Sequence, residues 1–182
     1  RLAILSRGLG DVYKRQWQYT EESVLRLAGV PLFSGFMYAA VGSYLARVWR
    51  LFDFHFSRYP RRRWTALLAV GVYLNFFSHH YMMDLRWLLI SLVVLLYGRT
   101  WVYFRIDREP RRMPLLLGFA LVSVFIWLAE NLATFAKAWT YPSQQEQWQM
   151  VGVGKLGAWF LLMNISFVLV TLINRPRTPD SA

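Results

Sequence analysis

The chain contains no cysteine. Disulfides, a thiol nucleophile and thiolate metal ligation are therefore excluded, and cysteine usage reports nothing about redox compartment. Charge is scarce too: 17% of residues are charged, with 10 acidic against 21 basic. An ordinary soluble domain carries about 25% charged residues, so this balance points to lipid as the solvent. No Walker A motif, GxSxG elbow, HExxH pair or kinase signature occurs, so the common phosphate-binding and hydrolytic machineries find no support.

What is present is apolar and aromatic: 56% hydrophobic residues, 18% aromatic, nine tryptophans. The net charge of +11 would suit nucleic acid, but the basic residues fall in short clusters between long apolar runs, with no interleaved basic and aromatic face. They read as a membrane orientation signal, and no nucleic-acid partner is expected. The segment Gly152-Val-Gly-Lys-Leu-Gly157 matches G-x-G-x-x-G. It follows no strand and leads into an apolar run, so it lacks the context of a dinucleotide fingerprint.

Residues 1–16 (RLAILSRGLGDVYKRQ) mix charge and glycine without an apolar period. They lack the core of a signal peptide and resemble translated adapter sequence, so they are expected to be a non-native leader. Residues 17–174 form one transmembrane helical domain on this reading, and 175–182 a short cytoplasmic tail. Five apolar runs lie near the roughly 20 residues that cross a hydrocarbon core: 30–49, 64–80, 87–103, 114–134 and 153–173. The expected fold is all-α, a polytopic bundle of about five spans. Gly35, Ala39 and Ser43 in the first run would let a neighbouring helix approach closely.

Arginines alternate sides. Arg47, Arg50, Arg58, Arg61, Arg62, Arg63, Arg99, Arg105, Arg108, Arg111, Arg112, Arg175 and Arg177 share one side of this topology, against Arg26, Arg86, Lys137 and Lys155 on the other. The positive-inside rule places the first set and the C-terminus in the cytoplasm, and residue 17 outside the cell's inner membrane.

That topology gathers ionisable residues at the outer face. Two of the three histidines, His79 and His80, precede Asp84 and Arg86 at the end of the second run. Glu130 and Asn131 interrupt the fourth run roughly 24 Å from its cytoplasmic start, and Lys155 opens the fifth. Charge within hydrocarbon is costly and marks function or a partner, so Glu130, His79, His80 and Asp84 are the expected catalytic set. Tyr38, Asn131 and Lys155 are expected to support them. His80 and Asp84 are helical neighbours at i and i+4; with His79 they would supply nitrogen and oxygen donors of the kind zinc takes, Glu130 completing the set. Helix capping and interfacial hydrogen bonding are the competing role for the histidines and Asp84. Glu130 is expected to pair with Lys155, Arg86 or a histidine. His55, in a basic loop, is expected to be solvated.

The runs Val30-Pro-Leu-Phe-Ser-Gly-Phe-Met-Tyr-Ala-Ala-Val-Gly-Ser-Tyr44, Asn75 to Trp87 with its His-His and Asp, and Trp127-Leu-Ala-Glu-Asn-Leu132 with Ala138-Trp-Thr-Tyr-Pro142 resemble the YoaT-like family of bacterial integral membrane proteins. That family is a domain of unknown function. The resemblance implies a multi-pass protein with further helices upstream and supplies no activity. Glu130-Asn131 with Trp139-Thr-Tyr141 is also similar to the patterning of membrane carotenoid-modifying enzymes such as lycopene cyclases. The His-His and Asp are distantly similar to the ceramidase and progestin-receptor hydrolases, although ligand order and spacing differ.

Three classes follow. The first is a membrane-embedded enzyme acting on a lipid or isoprenoid, with Glu130 as acid and the His/Asp cluster as base or metal site. The second is a small-solute or ion transporter holding these residues in an outer vestibule. The third is a structural or assembly subunit. The bilayer is the expected partner of all three.

Overall fold

In a computed structural model of the chain, the described residues are 26–27, 30–31, 33–78, 83–106, 109–138, 140–141, 144 and 146–178. A two-residue antiparallel pair, β1 (Arg26–Leu27) and β2 (Val30–Pro31), leads into α1 (Phe33–Leu51). Then come β3 (His55–Ser57), α2 (Arg62–Ser78), α3 (Arg86–Tyr97), β4 (Trp101–Ile106), β5 (Glu109–Pro114), α4 (Leu115–Phe135) and α5 (Gly154–Ile173).

The expected all-α bundle of five spans is overturned. Among the described residues, five helices are accompanied by a three-stranded antiparallel sheet in the order β3-β4-β5, and only α4 and α5 are long and apolar enough to cross a membrane. The expected third span, 87–103, fails first. Its helix has 12 residues, about 18 Å at 1.5 Å per residue, well short of a roughly 30 Å core. It stops at Gly98, where a Cβ would sit 2.7 Å from the Val94 carbonyl oxygen. Trp-Val-Tyr-Phe-Arg-Ile then follows as β4, a β-branched and aromatic run that suits a pleated surface. It pairs on one side with β3, Phe56 opposite Val102, and on the other with β5, Val102 opposite Met113. The second basic loop is therefore a pair of antiparallel strands, with Arg105 on β4 and Arg111 and Arg112 on β5. α2 begins with Arg62 and Arg63, and α1 contains Arg47 and Arg50, so neither is continuously apolar.

The core sits where helices meet the sheet. Phe167 of α5 packs against Phe119 (ring centroids 5.1 Å), Trp49 (5.6 Å) and Phe56 (5.8 Å). Trp49 and Phe56 are closer still, at 4.7 Å. After α5, Asn174 and Pro176 end the helix, and the Phe56 N–H donates to the Arg177 carbonyl at 2.8 Å, which ties the tail to the sheet. His55 joins the same edge, bridging to Arg177, and is buried rather than solvated, its Nδ1 2.8 Å from the Asp53 carbonyl oxygen.

The expected fourth and fifth runs are helices with nearly the expected limits. Pro114 precedes α4, where its missing N–H costs nothing. α4 has two faces. Leu115, Phe119, Ser123, Glu130 and Thr134 are buried, whereas Leu117, Leu121, Phe125, Leu128, Leu132 and Phe135 are exposed. The polar residues Ser123, Glu130 and Thr134 face inward beside Leu115 and Phe119, and the exposed face is apolar, where a helix on a water-soluble domain turns its polar face outward.

Candidate functional site

Glu130 is 4% exposed. Two aromatic donors meet its carboxylate: the Trp159 indole N–H reaches Oε2 at 2.7 Å, and the Tyr141 hydroxyl donates to Oε1. A buried carboxylate without such donors is strongly disfavoured, so these contacts account for its survival in an apolar helix. Lys155, in the first turn of α5, holds its Nζ 4.7 Å from the centre of the Tyr141 ring, a cation–π arrangement. It also interacts electrostatically with both Glu130 and Arg86.

The neighbouring polar groups hold this arrangement in place. Asn131 Oδ1 accepts the Val151 N–H at 2.8 Å, while its Nδ2 donates to the Trp127 carbonyl at 2.8 Å. The Trp127 indole N–H donates to the Val151 carbonyl at 3.0 Å. Together these fix the chain just before α5 against α4, and so set where Lys155 and Trp159 stand. Asn131 thus acts as a strap through backbone contacts.

Asp84 is engaged at the start of α3. Its Oδ1 accepts the Arg86 N–H at 2.9 Å and the Asn75 amide at 3.3 Å, and its Oδ2 lies 3.3 Å from Arg86 Nη2. An anion there complements the positive helix terminus. Arg86 Nη1 in turn donates to the Gly154 carbonyl at 2.8 Å. Asp84, Arg86, Lys155, Glu130 and Asn131 therefore lie at one end of the bundle, Arg86 joining the start of α3 to the start of α5.

His79 and His80 lie outside the described residues, and so does the side chain of Tyr38, which is carried on α1. Among the described residues, no group of three or more His, Asp or Glu side chains could hold a metal ion. The zinc expectation therefore rests on histidines outside that set. Among the described residues the donors to Glu130 are Tyr141 and Trp159, and neither Lys155 nor Arg86 bonds it directly; the expected histidine partners lie outside those residues. Trp159 carried a legible signal, being one helical turn beyond Lys155 at i+4.

A family model described as "Protein of unknown function (DUF817)" matches residues 8–167. The chain is 43% identical over 171 residues to "Uncharacterized protein YoaT" of Bacillus subtilis (strain 168), an alignment covering 94% of this chain and 65% of that protein. The chain thus spans about 65% of the length of the curated relative it matches. No solved structure matches it. With a family model covering most of its length and this relative aligned across nearly all of it, the chain belongs to the DUF817 family of proteins of unknown function.

Proposed function

We propose that this chain is the membrane-embedded part of a multi-pass transporter for protons or small cations in the plasma (inner) membrane, with Glu130 as its charge-carrying residue. The α4–α5 hairpin spans the bilayer. Only 22% of the apolar window of α4 and 39% of that of α5 is buried within the protein, whereas the core helix of a water-soluble domain would be mostly enclosed. An outward apolar stripe over an inward polar one is what hydrocarbon demands. The sheet, with Arg58, Arg99, Arg105, Arg111 and Arg112 around it, lies on the cytoplasmic side with the C-terminus, and the Glu130 end is extracytoplasmic.

The observation that carries the transport reading is a buried carboxylate facing the interior of an apolar helix, with a lysine in electrostatic reach. A proton or small cation arriving at Glu130 competes with Lys155 for the same negative charge. Binding and release can therefore alternate without leaving a bare charge in hydrocarbon. The enzymatic reading uses the same carboxylate as an acid toward a lipid or isoprenoid.

The test is ion flux in liposomes containing the full-length protein, driven by an imposed gradient. Wild type should carry flux, and Glu130→Gln should reduce it at least tenfold while keeping the fold, because the amide still offers an acceptor to Trp159. Absence of flux in wild type, together with a membrane-lipid profile altered by Glu130→Gln in cells, overturns the transport reading in favour of the enzymatic one.

A further inference from the structure

A cleft of about 570 Å³ lies between α1, α2 and α5, apart from Glu130 and its donors. That volume falls within the about 300–1,000 Å³ of small-ligand sites. The α1 wall is built of small side chains, Gly42 and Ala46 among them, and the facing wall of larger ones, Leu169 and Ile173 of α5 with Tyr73 of α2. Small residues opposite large ones hold the space open: a Cβ added at Gly42 would meet nothing within 4 Å. Leu169 is 56% exposed and Ile173 83%, so the cleft opens sideways, and beside a bilayer-spanning helix that side is hydrocarbon. Its lining from Leu162 to Ile173 covers about 16 Å of α5, close to one leaflet of a roughly 30 Å core.

The charge beside this cleft is positive. Arg50 stands four residues beyond Ala46, on the cleft face of α1, and Arg47 four beyond Ser43, at the edge of that face. Trp49, between them in the chain, packs on Phe167 at 5.6 Å, which puts both arginines beside the inner half of the α5 wall. The Arg50 Nε donates to the Ala46 carbonyl at 3.3 Å, folding the guanidinium back along the cleft and leaving its two terminal nitrogens as donors. Both arginines are exposed, and among the described residues neither is in an ion pair; Asp53, the acidic residue nearest in the chain, lies against His55 at 3.9 Å. Snorkelling to the headgroup layer would account for the charges, but not for the apolar space held open next to them.

We propose that this cleft binds an anionic phospholipid of the cytoplasmic leaflet, one acyl chain lying between α1 and α5 and the phosphate held by Arg50 with Arg47. The site rests on the membrane placement proposed above, with Arg50 on the cytoplasmic side, and not on the role of Glu130. Two phosphate oxygens match the planar fork of a guanidinium, and basic side chains at the cytoplasmic surface attract anionic lipid. The acyl chain fills space that the helices leave empty.

The test uses full-length protein in liposomes with two photoreactive lipids, phosphatidylglycerol and phosphatidylcholine, carrying the same diazirine-bearing acyl chain. Labelled residues are mapped by mass spectrometry, with Leu121 and Phe125 on the outward face of α4 as the reference that any lipid touches. Labelling between Leu162 and Ile173, relative to that reference, should be at least fivefold higher with phosphatidylglycerol than with phosphatidylcholine. The double variant Arg47→Gln/Arg50→Gln should bring the two lipids within twofold of each other. Gly42→Leu should lower cleft labelling by both lipids at least fivefold without lowering the thermal unfolding midpoint, because its side chain enters open space and leucine favours a helix over glycine.

Equal labelling by the two lipids in wild type would overturn the site in favour of ordinary annular lipid. An unlabelled cleft overturns it as well, and a midpoint lowered by Gly42→Leu then assigns the space to another helix of the full-length protein. Glu130→Gln separates this site from the transport reading: cleft labelling should stay within twofold of wild type whatever happens to flux, and a loss of labelling in that variant would overturn the cleft as a separate site.

Discussion

At the sheet end of the bundle, Phe167, Phe119, Trp49 and Phe56 interlock at centroid distances between 4.7 and 5.8 Å, with arginines around them. At the other end, Glu130 is held by single hydrogen bonds from Tyr141 and Trp159, and the chain before α5 by the Asn131 strap. The first region is stabilised by many small, non-directional contacts among aromatic rings. The second depends on a few directional bonds in an apolar setting, where each unmade bond is costly. A domain can lose a surface arginine at the first end and remain folded. At the second, losing one acceptor strands donors that have no water to turn to.

The contrast predicts a ranking of substitutions. Phe167→Ala should cost the most, about 3–5 kcal/mol for a buried aromatic truncated to a methyl group, read from unfolding of the purified full-length protein in detergent; a loss below about 1 kcal/mol would show that the ring cluster is not what holds that end. Glu130→Ala comes next. It leaves the Tyr141 hydroxyl and the Trp159 N–H without their acceptor, at about 1–3 kcal/mol, and restoring Gln should recover part of that through Trp159. Equal stability of the Ala and Gln variants would mean the donors find other partners.

Asn131→Ala should act locally. It removes the acceptor for the Val151 N–H, costs about 1 kcal/mol, and should speed protease cleavage between residues 140 and 151 without lowering the global unfolding midpoint by more than a few degrees. Cleavage no faster than wild type would assign the strap to Trp127 alone. The smallest effect is expected at Arg111, exposed on β5, where Arg111→Gln should stay within about 0.5 kcal/mol. A larger loss would mean that charge, and not ring packing, organises the sheet end. A reporter fused after Arg177 should prove cytoplasmic, since that end carries the arginines.

Much of the helical framework was legible before any coordinates. The limits of α4 and α5 follow from two long apolar runs, one opened by Pro114 and the other stopped near Pro176, and Glu130 stood out as the ionisable residue inside the first. The sheet was not legible, for a physical reason. Residues 87–103 are apolar throughout, and a short apolar run reads alike as buried helix or strand; the turn at Gly98 and pairing with the distant β3 decided the matter. Helix-length counting then converted one helix and one strand into a single span. His55 was misread for the same cause, because nothing local announces that the C-terminal tail will bond to its strand.

At the site, the sequence supplied the carboxylate and tertiary structure chose its donors. Lys155 and Arg86 were the natural partners by charge, yet among the described residues the side chains within hydrogen-bond reach of Glu130 belong to Tyr141 and Trp159, one in an irregular segment and one a full turn into α5. Composition and periodicity determine that α4 must present an apolar face outward and hide its polar residues, since those properties are carried by residues three and four apart along one helix. Which groups meet those hidden residues, as Trp159 meets Glu130, depends on the register of α4 against α5. That register is fixed by packing between residues far apart in the chain, so only the tertiary structure decided it.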